Sequence, residues 1–159
     1  MSTRCQIGFY RNKDAAKMDF EALIYKHNDG YPSGVLPLLF NFLRRFDEDR
    51  GIQDTEYCAA RYLGALLAAD RAWLEDCNRR NPEKTGAYST NIGYGISRSF
   101  HGDLDYFYRV NAKEKTVEVH RLIRDGRTKT DAIEVFALEE MSSNGAVQDA
   151  IDTAVKKWI

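Results

Sequence analysis

Short apolar stretches with the character of β-strands open the chain. Cys5–Tyr10 is an apolar run with several β-favouring members, and residues 20–27 form a second run of the same kind. The segment 28–32 (Asn-Asp-Gly-Tyr-Pro) follows at once. Asn, Asp and Gly tolerate left-handed backbone angles, and Pro fixes its own φ. The pattern therefore predicts two strands, the second of which ends in a tight turn.

Helical spacing of apolar residues follows this turn. Residues 34–46 are apolar on almost every side of a helix, which is typical of a buried helix rather than a surface one. A second helix is predicted from about residue 54 to about residue 78, because apolar residues recur there every three or four positions. The Asn81-Pro82 pair ends it. A closing helix is predicted to start near residue 143.

Four further strands are predicted between these helices. Residues 91–100 alternate weakly and contain two glycines, which favours a bent or edge strand. Residues 104–110 alternate clearly, so their side chains point to opposite faces of a sheet. Turn residues then separate strands at 116–123 and 133–138.

The order of these elements predicts the fold class. The order ββααββββα with short connections between the late strands indicates an α+β protein, since parallel sheets are built from alternating βαβ units. We expect an antiparallel sheet of about five to six strands, with the helices packed on one face. The chain of 159 residues contains no repeat or linker, and we expect one domain spanning residues 1–159.

Composition restricts the possible partners. Hydrophobic residues make up 43% of the chain and charged residues 30%, with a formal net charge of −1. Binding to nucleic acid is not indicated by this charge, because it depends on an excess of Lys and Arg. The sequence contains no apolar run long enough to span a membrane, and its three cysteines show no paired spacing. We therefore expect a cytoplasmic protein that does not bind membranes.

Two His-x-Asp triplets contain the candidate functional residues. His27 and Asp29 follow the second predicted strand, and His101 and Asp103 precede the strand at 104–110. If these strands are antiparallel neighbours, the end of one lies beside the start of the other. The first strand begins at the same edge, which adds Arg4. The predicted ligand-binding residues are Arg4, His27, Asp29, Tyr31, His101 and Asp103.

Several kinds of chemistry are compatible with this group. Two imidazoles and two carboxylates can bind a divalent metal, or each Asp can orient a His for acid–base chemistry. Arg4 can bind a phosphate or carboxylate through two hydrogen bonds. The same residues also suit ordinary turns, with Asp29 and Asp103 bonding to the local backbone. His27 and His101 are candidates only, no catalytic residue is assigned, and the sequence identifies no metal or cofactor.

Three segments resemble a family of small uncharacterised proteins from bacteriophages and bacteria. They are residues 2–7 (STRCQI), 25–37 (YKHNDGYPSGVLP) and 101–106 (HGDLDY). Members of that family open with an STRC-type strand, followed by a Y-[RK]-H-x-D-G-Y-P-x-G turn and later an HGD-[LI]-x-Y strand. The resemblance covers the first third of the chain and one short later segment. It implies a phage-related setting and a shared use of the segments around His27 and His101, but no activity.

Two functional hypotheses follow. The first is a non-catalytic binding protein, associated with bacteriophages, that binds a host protein or nucleoprotein complex or a small polar ligand. Inhibition of a host defence system is one form of this hypothesis. The second is a small hydrolase or phosphoesterase, metal-assisted or acid–base, that uses His27, Asp29, His101 and Asp103. No Gly-rich phosphate loop, nucleophile elbow or His-Glu-x-x-His motif supports the second. The oligomeric state is not indicated.

Overall fold

A six-stranded sheet with helices on one face forms the fold, and the class is α+β. The computed structural model describes residues 2–80, 82, 93–125 and 128–156. The strands are β1 (Cys5–Tyr10), β2 (Ala22–Lys26), β3 (Tyr94–Ile96), β4 (Tyr106–Asn111), β5 (Thr116–Asp125) and β6 (Thr128–Ala137). The helices are α1 (Pro32–Asp49), α2 (Thr55–Ala69), α3 (Arg71–Arg80) and α4 (Asn144–Lys156).

The sheet is mixed, which corrects the prediction of an antiparallel sheet. Its strand order is β3-β2-β1-β4-β5-β6, and every neighbouring pair is antiparallel except β1 and β4. The prediction placed β2 beside β4, whereas β1 lies between them. The connection at residues 97–105 joins β3, on the outer side of β2, to β4, on the far side of β1. It therefore crosses one face of the sheet. Because of this crossing, β4 runs parallel to β1.

The helical region also differs from the prediction. The sequence predicted one helix between residues 54 and 78, and the structure contains two, α2 and α3. They are separated at Asp70, whose backbone angles of φ −91° and ψ 3° leave the helical region. The side chain of Asp70 accepts a hydrogen bond from the hydroxyl of Tyr94 in β3. The break in the helix therefore coincides with a contact to the sheet.

The main core lies between the sheet and the helices. The helix predicted at residues 34–46 is α1, which packs against α2 and α4. It is not buried on every side, as its apolar sequence predicted, because Pro37, Asn41 and Arg45 lie on an exposed side. Alternate residues of β1 face it, including Cys5, Ile7 and Phe9. Burial of this apolar surface is the main source of stability. The buried residues of α1 are Pro32, Val35, Leu36, Leu39, Phe40, Leu43 and Phe46.

A second, smaller cluster lies on the opposite face of the sheet. Tyr10, Leu23 and Phe107 are buried there, and Phe20 and Phe100 from two loops pack against them. Phe100 meets Phe107 edge-on with ring centroids 5.1 Å apart. These contacts hold the loops against the face of the sheet on which none of the described helices lies. We call it the open face.

Among the described residues, no helix combines the length and the apolar character needed to cross a lipid bilayer.

Candidate functional site

Three strand ends meet at one edge of the sheet. Cys5 at the start of β1 pairs with Lys26 at the end of β2 and with Tyr106 at the start of β4. The residues that precede β1, follow β2 and precede β4 are therefore neighbours. Arg4, His27 and the segment 101–105 lie in these positions.

Tyr25 connects the two histidines. Its ring stacks on the imidazole of His101, with centroids 4.4 Å apart and an interplanar angle of 22°. Its hydroxyl lies 2.8 Å from Nδ1 of His27, at hydrogen-bond distance. The Nε2 atom of the same imidazole lies 3.5 Å from the hydroxyl of Ser2. Tyr25 thus contacts both imidazoles, that of His101 through its ring and that of His27 through its hydroxyl.

The loop that carries His101 is fixed by Gln6. This side chain is completely buried, on the open face of β1. Its amide nitrogen donates to the carbonyl of Ser99 at 3.1 Å, and its amide oxygen accepts from the backbone N–H of His101 at 3.1 Å. Both the donor and the acceptor of this buried amide therefore have hydrogen-bond partners in one loop. Buried polar groups in folded proteins are normally paired in this way, because an unpaired one costs free energy.

Arg4 and Asp103 form an ion pair beside the histidines. Both side chains are partly exposed, by 34% and 45% respectively, so the pair is accessible from solvent. The backbone N–H of Arg4 also donates to the carboxylate of Asp105 at 3.0 Å. Within the described part of the chain, the buried Nε atom of Arg4 has no hydrogen-bond partner. Unsatisfied buried donors cost free energy and are rare in folded proteins.

These residues form a partly exposed polar surface, which we call the rim. It consists of Arg4, Tyr25, His27, His101 and Asp103.

Asp29 and Tyr31 belong to a different part of the surface. The hydroxyl of Tyr31 donates to the carboxylate of Asp29 at 3.1 Å. Asp29 lines a cleft together with Lys26 and Tyr94, on the side of the sheet that the helices cover. The six predicted residues therefore divide into two groups: Arg4, His27, His101 and Asp103 at the rim, and Asp29 and Tyr31 across the sheet.

The two predicted His-Asp pairs are not formed. The carboxylate of Asp29 accepts from Tyr31 and that of Asp103 from Arg4, whereas the ring nitrogens of His27 lie near Ser2 and Tyr25. The described residues also contain no group of three or more His, Cys, Asp or Glu arranged to hold a metal ion. The geometry therefore gives no support to a metal centre or to carboxylate-oriented histidines at the rim.

Thiol chemistry is disfavoured beside the rim. Cys5 is completely buried, and burial raises the pKa of its thiol from 9.0 to about 12, although the nearby ammonium of Lys26 acts in the opposite direction. Since the thiolate is the reactive form, Cys5 is unreactive near neutral pH.

Sequence reasoning missed three residues at this site: Ser2, Gln6 and Tyr25. Two of them, Gln6 and Tyr25, have sequence features from which they could have been predicted. Gln6 is the polar member of an otherwise apolar strand. Tyr25 stands two residues before His27, a spacing that places both side chains on one face where the backbone is extended. Only the three-dimensional structure shows that the loop carrying His101 crosses this face.

Comparisons of the chain with protein-family models, curated proteins and solved structures find no match. The resemblance to phage and bacterial proteins stays a prediction.

Proposed function

We propose that this protein is a non-catalytic binding protein and that the rim is its contact surface. One observation carries the proposal: polar and aromatic side chains from separate segments meet at one sheet edge and are held there by contacts with each other, yet stay partly exposed. Tyr and Arg are enriched among the residues that dominate binding energy at protein interfaces. A surface already fixed in position loses little side-chain entropy on binding.

The arrangement of the rim favours binding over catalysis. Its carboxylate, Asp103, is paired with Arg4, and the adjacent thiol of Cys5 is buried and protonated. Catalysis by a nucleophile or a general base requires an activated group within reach of a substrate. A binding surface requires only exposure and defined geometry, and the rim has both.

The partner that we propose is a macromolecule of a bacterial host. The phage-related setting implied by the three resembling segments supports this choice, with inhibition of a defence system as its specific form. The net charge of −1 gives no general attraction to nucleic acid, so a protein surface is the favoured target.

Affinity capture with rim variants tests this proposal. Purified protein immobilised through its C-terminus is incubated with bacterial lysate, in parallel with Arg4→Ala, His101→Ala and the control Lys113→Ala. Lys113 is exposed and lies between β4 and β5. We expect to capture a stoichiometric partner. Its affinity for the wild type and for the control should be at least about ten-fold higher than its affinity for the rim variants. Capture that is equal for all four proteins, or absent from every lysate, would contradict the proposal.

One contact supports a hydrolase as the second candidate. The hydroxyl of Ser2 lies 3.5 Å from Nε2 of His27, and Tyr25 lies against the other ring nitrogen. A hydroxyl beside a tethered imidazole is the elementary arrangement of base-assisted nucleophilic attack. Turnover of nitrophenyl phosphate and nitrophenyl acetate, with elemental analysis of the purified protein, tests this candidate. It requires that His27→Ala abolish turnover, and it is excluded if His27→Ala and His101→Ala leave the rate unchanged.

A further inference from the structure

A second candidate site lies across the sheet from the rim. It is a cleft of about 540 Å³ between the end of β2, the start of β3 and the junction of α2 and α3. We call it the Lys26 cleft. Its lining residues are Lys26, Asn28, Asp29, Asp70, Trp73, Gly93 and Tyr94.

The backbone of the turn in this cleft is held on several sides. Asp29 has φ +53°, in the left-handed region that few residues other than Gly, Asn and Asp adopt. The N–H of Gly30 donates to the carbonyl of Thr3 at 2.9 Å, and the hydroxyl of Tyr108 donates to the carbonyl of Gly30 at 2.7 Å. The carboxylate of Asp29 is therefore presented by a fixed turn.

Lys26 fixes the same turn from the inside. Its side chain is only 6% exposed, and its ammonium donates to the carbonyls of Asn28 at 2.8 Å and Asp29 at 3.3 Å. Lys26 is paired with Tyr94 across the strands, and its Nζ lies 5.8 Å from the centre of that ring. The positive charge is thus engaged by backbone oxygens and an aromatic face.

Two carboxylates face the cleft. Asp70 accepts the hydrogen bond from Tyr94, and Asp29 accepts one from Tyr31. Both carboxylates raise the pKa of the Tyr94 hydroxyl. Burial is the largest cause of the raised pKa, followed by the hydrogen bond and the negative charge of Asp70, and the charge of Asp29 also contributes. Among the described residues that line the cleft, Lys26 is the single cation against two carboxylates, which gives this part of the lining a net negative charge.

Trp73 supplies an aromatic surface at the cleft. It lies on α3, a helix with no buried residue, and its side chain is 53% exposed. An exposed Trp beside carboxylates is the arrangement that attracts organic cations, because the face of the indole ring carries negative potential.

We propose that the Lys26 cleft binds a guanidinium or ammonium group. Asp29 and Asp70 provide the charge-assisted hydrogen bonds, and Trp73 provides the stacking face. An anion is disfavoured, since it would approach two carboxylates while two of the three N–H groups of Lys26 are already committed to the backbone. This site is separate from the rim, so its failure would leave the proposed function unchanged.

Tryptophan fluorescence provides the test. The chain contains two Trp, and in a Trp158→Phe background Trp73 is the only one left to report on the cleft. The probe is N-acetyl-L-arginine amide, and N-acetyl-L-citrulline amide is its neutral analogue of nearly the same shape. We expect a saturable change with the arginine probe and binding of the citrulline probe about ten-fold weaker.

Variants of the two carboxylates make the test specific. Asp29→Asn and Asp70→Asn should each weaken binding of the arginine probe about ten-fold and leave citrulline binding unchanged. Asn at position 70 still accepts the bond from Tyr94, and circular dichroism checks that each variant is folded. Asp149→Asn, an exposed site on α4 outside the cleft lining, is the matched control.

The outcomes separate the sources of the cation and decide the proposal. The affinity of an alanine peptide with one central Arg is compared with that of the arginine probe. Tighter binding of the peptide identifies an Arg side chain of a protein as the ligand, and equal affinities identify a small molecule. The proposal is overturned if the arginine probe gives no saturable change, if citrulline binds equally well, or if both Asn variants bind like the wild type.

Discussion

Gln6 illustrates how one side chain can position the candidate site. Its buried amide makes both hydrogen bonds to the loop that carries His101. We predict that Gln6→Ala lowers the free energy of unfolding by roughly 1–3 kcal/mol, because the carbonyl of Ser99 and the N–H of His101 lose their partner. Urea denaturation measures this loss. Gln53→Ala, at an exposed position, should change stability by less than about 0.5 kcal/mol.

The same substitution also has a local consequence. Hydrogen exchange of the backbone amide of His101 should accelerate in Gln6→Ala more than exchange in α1. Equal acceleration in both places would mean that Gln6 contributes to global stability only, and not to the position of the rim.

The three cysteines are expected to differ in reactivity. Cys5 and Cys58 are fully buried, and burial raises the pKa of each thiol to about 12, with Asp47 adding to the effect at Cys58. Cys77 is only partly buried. We predict that a disulfide reagent at neutral pH modifies Cys77 alone in the native protein and all three thiols after unfolding. Rapid native modification of Cys5, detected by mass spectrometry, would contradict the packing at the start of β1.

Among the elements, α1 and α2 each contain a glycine with a different environment. A Cβ atom added to Gly34 would clash with the carbonyl oxygen of Asp29, whereas one added to Gly64 meets no atom of the described residues within 4 Å. We predict that Gly34→Ala destabilises the protein by roughly 1–3 kcal/mol through this clash. Gly64→Ala should stabilise it by about 1 kcal/mol, because alanine favours the helix.

Thermal denaturation of the two variants provides a matched comparison, since each adds one methyl group to a helix. Shifts of opposite sign are expected. A stabilising effect of Gly34→Ala would mean that the turn at Asp29 is not fixed against α1, and it would remove the rigid backbone on which the Lys26 cleft depends.

The helices and strands with the clearest hydrophobic patterns in the sequence were the ones that could be predicted. Clear alternation predicted β4, and a nearly continuous apolar segment predicted α1. The parallel pairing of β1 with β4 was not predictable, because it depends on the path of residues 97–105 across the open face. Local periodicity gives the faces of a strand but not its neighbours.

The candidate site was predictable only in part for the same reason. Strand ends placed Arg4, His27 and His101 at one edge, although the assumed pairing of β2 with β4 was wrong. Asp29 was grouped with His27 because the two are close in sequence. The turn directs this carboxylate to the helix-covered side, and a backbone angle such as φ +53° at Asp29 is not encoded in any periodic pattern.

At the scale of the molecule, β1 and β2 support two surfaces at the same edge of the sheet. Consecutive side chains of a strand point to opposite faces, so Tyr25 contributes to the rim and Lys26 to the cleft. Each surface is completed by a connection that crosses its face, the loop of His101 on one side and the α2–α3 junction on the other. One hairpin can therefore present two sites that do not share side chains.

The open face also contains a partly buried ionic group that links stability to pH. The carboxylate of Glu118 accepts from Asn111 at 2.6 Å, lies 3.1 Å from Nε2 of His120 and lies 3.6 Å from Nε of Arg109. The hydrogen bond from His120 is the largest cause that lowers the pKa of Glu118 below its ordinary value of 4.5, despite the opposing effect of burial. Arg109 in turn donates to three carbonyls of the loop after β1, at Asn12, Lys13 and Ala15.

A depressed pKa in the folded state fixes the sign of the pH dependence. The unfolded state takes up the proton first as the pH falls, so the stabilisation from Glu118 is complete above pH 4.5 and is lost as the pH falls through the folded pKa. We predict that Glu118→Gln destabilises the protein at about pH 7 and that the difference from the wild type shrinks at about pH 3. Urea denaturation at the two pH values measures the difference, with Glu139→Gln, at an exposed position, as the control. A difference that is the same at both pH values would mean that the charge of Glu118 does not stabilise the open face and that its hydrogen bonds alone do.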